Sequence, residues 1–463
     1  MTNNPPASQH NAIQLQDAGH HIHPFTDTKA LNKKGARVIN RGEGVYVWDD
    51  QGNKMLDAMA GLWCMAIGYG RTEVADAVHA QMQELPYYNT FFQTTHKPVA
   101  ELAKKLAEIS PEAINHTFFT SGGSDANDTM LRLVRHYWAS LGKPSKKVII
   151  SRKNAYHGST VAGASLGGMT FMHEQGDLPI PNITHIGQPY WYGEGGDLTP
   201  DEFGLLRARE LEEKILELGE DKVAAFIAEP VQGAGGVIIP PDSYWPEVQR
   251  ICDKYEILLV ADEVITGFGR TGERFASETY DLKPDVICIA KALSSGYLPI
   301  GGVMLSDRLA DVVINQGGEF EHGYTYSGHP AACAAALKVL EIMDREDLPN
   351  YVKNDIGPYL QERWLKLADH PLVGEARMVG LMGALELTPD KATRAKFAVK
   401  AGTVGLMCRE FCFDNGLVMR AVGDTMIISP PLVLSHDEAD ELIAKATAVL
   451  DLTYAAAKEA GYL

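Results

Sequence analysis

The run Ile257-Leu258-Leu259-Val260-Ala261 is apolar at every position and stops against two adjacent acids, Asp262 and Glu263. A strand with one wet face alternates apolar and polar residues. A run without alternation reads as a strand covered on both sides, as in a parallel sheet with helices on each face. A second run of the same kind, Val286-Ile287-Cys288-Ile289-Ala290, ends in Lys291. Open α/β sheets hold their ligands outside the carboxyl ends of the strands. An acid and a lysine at two such ends form the constellation that the rest of the chain has to serve.

Helix and strand signals alternate through the first two thirds of the chain. Residues 117–120 read as a short strand that passes through Ser121-Gly122-Gly123-Ser124 into a helix from Asp125 to about Ser140. Met130, Leu133, Val134 and Tyr137 give that helix one apolar face. Further strands are expected at 147–150, 223–228 and 301–305, and helices at 72–85, 98–109, 201–218 and 243–254. Strands alternating with helices predict βαβ units and a mostly parallel sheet, an α/β fold. Several strands end in polar or glycine-rich turns, among them Asn154-Ala155-Tyr156-His157-Gly158-Ser159 and Glu229-Pro230-Val231-Gln232-Gly233. Upstream, 45–48 and 54–58 flank turn residues and predict a β-hairpin.

Beyond Thr325-Tyr326-Ser327-Gly328-His329-Pro330, which opens an Ala-rich helix over 331–343, the pattern changes. Helices over 350–368 and 391–415 flank strands at 379–387 and 425–428, and a last helix covers 435–458. The expected division is an N-terminal segment, 1–60, packing with the small domain; a large domain, 61–334; and a smaller α+β domain, 335–463.

A formal net charge of −18 and the lack of any basic block argue against a nucleic-acid groove. Six cysteines show no C-x-x-C pair and no zinc-like spacing, which fits a reduced, cytoplasmic compartment. The polar start carries no signal-peptide core, and no run approaches the roughly 18 apolar residues of a membrane span. Residues 1–20 read as a mobile arm. His20, His21 and His23 crowd together before Pro24-Phe25 without obvious partner acids, so no metal is expected. Tyr87-Tyr88-Asn89-Thr90-Phe91-Phe92 is an aromatic cluster of neither period, a plug or a subunit contact.

Two motifs mislead. Gly267-Phe268-Gly269-Arg270-Thr271-Gly272 matches the dinucleotide fingerprint, but five residues separate it from its strand and no acid follows at a strand end. Gly163-Ala164-Ser165-Leu166-Gly167 matches the nucleophile elbow, which would make the chain a serine hydrolase using Ser165, yet no helical pattern follows it. A non-catalytic binding role is the remaining competitor.

A lysine at a buried strand end is costly unless it pairs or reacts. Desolvation favours its neutral amine, which can form a Schiff base with an aldehyde. Asp262 at the neighbouring end can hold a protonated ring nitrogen. Gly123 and Ser124 at a helix start offer free N–H groups to a phosphate. Aldehyde, pyridinium and phosphate together describe pyridoxal 5′-phosphate.

These residues also carry a family resemblance along nearly the whole chain. Leu259-Val260-Ala261-Asp262-Glu263-Val264, the Gly267–Gly272 turn, and Ala290-Lys291 with Gly296-Tyr297-Leu298-Pro299-Ile300-Gly301-Gly302 resemble the signature of the class III aminotransferases of fold type I. Gly61-Leu62-Trp63-Cys64, the 188–196 stretch and Met419-Arg420-Ala421-Val422-Gly423-Asp424 are similar to the pyruvate-dependent ω-transaminases, nearest the putrescine–pyruvate group. The resemblance implies a primary amine as donor, pyruvate as acceptor, and a homodimer or tetramer with shared sites. β-Alanine, taurine and aryl-alkyl amines are alternative donors.

By the same resemblance Lys291 would bond the cofactor and shuttle the substrate proton, and Asp262 would salt-bridge the ring nitrogen. Val264 and Tyr156 would pack on the two ring faces, Glu229 would position Asp262, and Gly123 and Ser124 would bind the phosphate. Thr325 would reach that phosphate from the second subunit. Arg420 would accept the pyruvate carboxylate, and Trp63, Phe25, Phe91 and Tyr156 would wall the substrate pocket. The cradle departs from the common Gly-Ser-Gly-Ser-Glu, reading Ser121-Gly122-Gly123-Ser124-Asp125. The shift bears on phosphate affinity more than on chemistry.

Overall fold

In the computed structural model, which describes residues 10–463, the two apolar runs lie in the middle of a seven-stranded sheet. Ahead of it, β1 (Ile39–Glu43), β2 (Tyr46–Asp49) and β3 (Lys54–Asp57) form an antiparallel meander. The large sheet contains β4 (Ile114–Thr120), β5 (Val148–Arg152), β6 (Ile183–Ile186), β7 (Val223–Ala228), β8 (Leu258–Asp262), β9 (Val286–Ile289) and β10 (Gly301–Ser306). Its order is β4-β10-β9-β8-β7-β5-β6. The five strands from β6 to β9 pair in parallel, and β10 runs antiparallel to both of its neighbours.

Strand β8 explains its own sequence. Leu258 and Val260 pack with Met130, Leu133 and Val134 of the helix Gly123–Ser140. Leu259, pointing the other way, packs with Leu211 and Ile215 of Pro200–Leu218 and with Trp245 and Val248 of Tyr244–Lys254. Successive side chains face opposite sides, and both sides are dry, so no position tolerates a polar residue. Each such aliphatic side chain contributes about 1.5–3 kcal/mol on burial. Because β8 and β9 are parallel, with Asp262 opposite Cys288, the end of β8 and the residue that follows Ala290 emerge at one sheet edge.

The C-terminal part builds an antiparallel sheet from β11 (Val373–Val379) and β12 (Met382–Leu387), completed after β13 (Leu417–Val418) by β14 (Arg420–Val422) and β15 (Thr425–Ile428). Strand β13 itself pairs in parallel with β3, so the first sheet is closed by a late segment. One apolar cluster runs from Val45 and Leu56 through Ile287 and Met304 to Leu385, Ile428 and Leu450.

Three expectations need correction. Of the supposed arm, Ala12–His20 is a helix, because Asn11 and Gln14 form a reciprocal capping box; residues 1–9 lie outside the described residues. The strand expected at 379–387 is a hairpin, β11 and β12, turning at Gly380 with φ of +51°. A Cβ there would stand 2.4 Å from the Arg270 carbonyl oxygen, so only glycine fits. The helix expected over 391–415 occupies only Thr403–Asp414. Upstream, the Asp390 carboxylate accepts from the Ala392 N–H at 3.0 Å and the Thr393 hydroxyl at 2.7 Å, which holds that stretch as a turn.

Candidate active site

Asp262, the last residue of β8, and Lys291, just past β9, open on one cavity of about 130 Å³. Gly123, Ser124, Tyr156, Glu229 and Val264 line it with them. A larger cleft of about 910 Å³, between Tyr190 and Arg394, contains none of these strand-end residues and opens on the surface.

Asp262 is buried and already partnered. Its Oδ2 lies 2.7 Å from His157 Nδ1 and accepts from Asn127 Nδ2 at 2.9 Å, while Oδ1 accepts from the Val264 N–H at 3.1 Å. Burial pushes its carboxyl up, but the His157 bond and charge, then Asn127 and the Val264 amide, bring it below the usual carboxylate range. The acid therefore stands ionised in a dry place, aimed at a cavity.

Lys291 is the opposite case. It takes the left-handed backbone with φ of +45°, and its Nζ makes no hydrogen bond or ion pair among the described residues. Burial is the main cause that lowers its pKa; Cys64, Asp262 and Glu229 oppose the shift, and Arg420 adds to it. An uncommitted amine with a depressed pKa is a nucleophile in waiting. Glu229 is held by the Tyr156 N–H at 3.1 Å and the Gly233 N–H at 2.9 Å. Burial raises its carboxyl pKa, with His157 opposing and Asp262 adding.

The third corner is the start of the helix Gly123–Ser140. Its N-cap, Gly122, offers no side-chain cap, so the first-turn N–H groups face the cavity edge without a side-chain partner. A Cβ on Gly123 would come within 2.9 Å of Val264 Cγ1, and one on Gly158 within 2.7 Å of Ser124. Two glycines thus keep the space beside the helix end open. An anion fits there, a protonated ring nitrogen fits Asp262, and an aldehyde fits Lys291. The residues suit a phosphorylated pyridine aldehyde.

The remaining expected residues fall into two groups. Tyr156 lines the cavity, and the exposed Phe25 ring meets it edge-on at 6.3 Å. Arg420, at the start of β14, has no ion-pair partner among the described residues and lies near Tyr156 and Lys291. Trp63 is 1% exposed and packs with Val231, Val237 and Ile265, behind the cavity wall. Phe91 and Thr325 are away from this chain's own cavity: Phe91 lies against Gly323, and the Tyr87 hydroxyl donates to the Thr325 carbonyl at 2.8 Å.

Asn127 and His157 were not picked out from the sequence. Asn127 stands on the apolar face of its helix, and a buried amide must find partners, which is the signal that could have found it. The motifs that mislead are spent on structure. The N–H groups of Phe268 and Gly269 both donate to the Arg274 carbonyl, leaving neither for a pyrophosphate. Ser165 is fully buried inside a short helix, Val161–Leu166, and its hydroxyl donates to the Val161 carbonyl at 2.6 Å. The histidine group does have an acid: Asp17, on the helix before it, lies 3.0 Å from His21 and 2.8 Å from His23.

Comparisons with known proteins agree with this geometry. The family model described as aminotransferase class-III matches residues 29–450. The chain is 63% identical over 443 residues to a putrescine–pyruvate aminotransferase of Pseudomonas aeruginosa, covering 96% of each. It is 43% identical to a mitochondrial gamma-aminobutyrate transaminase of Oryza sativa, over 95% of this chain and 86% of that one. The crystal structure of an ω-transaminase from Pseudomonas jessenii in complex with PMP superposes with a TM-score of 0.93, at 40% identity, over 96% of this chain and 98% of that one.

Proposed function

The chain belongs to the class-III aminotransferases and works through pyridoxal 5′-phosphate, and from that premise we propose that it moves the amino group of a primary amine, first of all a diamine such as putrescine, to pyruvate, giving an aldehyde and L-alanine. The observation that carries the reading is the uncommitted amine of Lys291 beside the paired acid Asp262, in a cavity bounded by a bare helix start. When bound, the cofactor supplies an aldehyde that exchanges amino groups and a ring that draws electrons from the substrate carbon.

Each residue then has a task. Lys291 would hold the cofactor covalently and, once freed by the substrate amine, carry a proton at Nζ between substrate and cofactor carbons. Asp262 would accept the ring N–H, and its negative charge keeps that nitrogen protonated. The first-turn N–H groups at Gly123 and Ser124 would grip the phosphate. Val264 and Tyr156 would flank the ring, and Glu229, holding the Tyr156 and Gly233 amides, would fix the segments around it.

Arg420 is a guanidinium without an ion-pair partner among the described residues, suited to the carboxylate of pyruvate or alanine and free to turn away from an amine that has none. Phe25 and Tyr156 would line the substrate side, with Trp63 stiffening the wall through Ile265. Phe91 and Thr325 would serve the site of a second copy, which makes the working unit a homodimer or tetramer. Residues 61–334 would be the cofactor-binding unit, with 335–463 and the N-terminal segment against it. No helix among the described residues is long and apolar enough to cross a membrane, and the six cysteines are all unpaired, which supports a cytoplasmic enzyme.

A panel of amines with pyruvate, following alanine formation, tests the donor. Putrescine and cadaverine should turn over fastest. Alanine formed from β-alanine, taurine or aryl-alkyl amines but from no diamine would reassign the donor.

A further inference from the structure

The helix Gly123–Ser140 meets the cavity twice. Its first turn carries Gly123 and Ser124, and one turn later the 1%-exposed Asn127 reaches across. The Asn127 Nδ2 donates to Asp262 Oδ2 at 2.9 Å and to the His157 carbonyl at 2.8 Å. Both partners are acceptors only, so the amide has one workable orientation: the nitrogen faces them, and the Oδ1 is left without a partner among the described residues. One side chain thereby joins the helix to the end of β8 and to the segment that follows β5. Val264 holds the other carboxylate oxygen, and His157 shares Oδ2, so the plane of the acid is fixed from three directions.

We propose that Asn127 is a positioning residue that couples the two ends of the cofactor site, tying the phosphate-gripping start of its helix to the acid that faces the ring nitrogen. The proposal rests on the roles given above to Asp262 and to Gly123–Ser124. Without the amide, Oδ2 keeps only His157 and Oδ1 only the Val264 N–H, so the carboxylate is held less firmly. The helix start also loses its tie to the sheet edge. Phosphate grip and ring protonation should then weaken together.

Two variants separate this from a merely structural role. Asn127→Ala apoenzyme, titrated with pyridoxal 5′-phosphate, should bind it roughly tenfold to a hundredfold more weakly, the loss typical of one hydrogen bond to a charged group. Its kcat should fall while the KM for the amine stays near that of the parent. Asn127→Asp is nearly isosteric and sets a carboxyl against Asp262, within a site that also faces His157, Glu229 and Lys291. Two carboxyls so close ionise together only at raised pH, and the introduced one, while it stays protonated, donates an O–H where the amide gave its N–H.

Cofactor affinity and turnover of Asn127→Asp should therefore recover as pH falls and disappear as it rises, relative to the parent measured at each pH. A pH-independent loss in Asn127→Asp, or parent-like cofactor affinity in Asn127→Ala, overturns the proposal. Asp262→Asn, measured alongside, keeps the two readings apart. If it too leaves affinity and turnover unchanged, the role of Asp262 is what fails.

Discussion

His157 Nδ1 lies 2.7 Å from Asp262 Oδ2, and both residues are buried, so the acid reaches the cavity already paired and already ionised. An unpaired carboxylate in the same place would take up a proton instead. The sign follows: a carboxyl whose pKa is depressed in the fold contributes stability above its unfolded value near 3.8, and loses it as pH falls through the folded value.

The charge on Asp262 is what the ring nitrogen is proposed to need. Asp262→Asn keeps the shape and removes the charge. Turnover should drop on the order of 10²–10³, the scale of losing one preorganised electrostatic partner. The visible absorption of the lysine-linked cofactor should persist. Single-turnover rates within a fewfold of the parent would remove Asp262 from its role.

Lys291→Ala should abolish turnover and the visible band of the covalently held cofactor together. Pyridoxal 5′-phosphate should still bind, less tightly, through Gly123 and Ser124. Residual transamination at parent rate would sink the assignment of Lys291.

The depressed pKa of Lys291 has its own signature. A lysine disfavoured in its charged form destabilises the apoprotein below its folded pKa, and the penalty lifts as pH rises from there towards 10.5. Capture of the cofactor by apoenzyme should accelerate with pH along the same curve, with a midpoint below 10.5. Stopped-flow absorbance reads it. A midpoint at or above the ordinary lysine value would contradict the environment described for this amine.

Only the acceptor brings a carboxylate, so Arg420→Ala should raise the KM for pyruvate about tenfold to a hundredfold, as for a lost charge-assisted contact. The KM for a diamine should move little. Equal effects on both substrates would count against a carboxylate-binding arginine.

Glu410 joins Lys34, Arg37 and Arg409, with 2.9 Å to Arg37, and so ties the N-terminal segment to the helix Thr403–Asp414. Burial alone pushes its carboxyl up, but the three cations bring it down to about 2. That contribution is present above its unfolded value near 4.5 and is lost as pH falls towards 2. Hydrogen exchange should show 28–37 loosening over that window. In Glu410→Gln the segment should already exchange fast at neutral pH; protection equal to the parent would show the tie to be idle.

Much of this was legible in residues 257–291, because a strand without alternation is covered on both faces, as in a parallel sheet flanked by helices. Asp262 and Lys291 followed, since parallel neighbours deliver their ends to one edge. The hairpin of β11 and β12 reads as a single strand because Gly380 looks like any glycine until its left-handed turn is seen. Asp390 hid a turn inside an apparently helical stretch through bonds to Ala392 and Thr393, which no period reports. Asn127 and His157 escaped because their meaning lies in partners more than a hundred residues away along the chain, at Asp262.

The pairing of β13 with β3 has a kinetic reading. The meander near the amino end lacks its last strand until Leu417 and Val418 have left the ribosome, so its edge waits open through most of synthesis. Contacts of such sequence separation are the slow ones to form. A truncation before Leu417 should therefore leave a chain that aggregates through that edge, even with every residue of the cofactor cavity up to Lys291 in place.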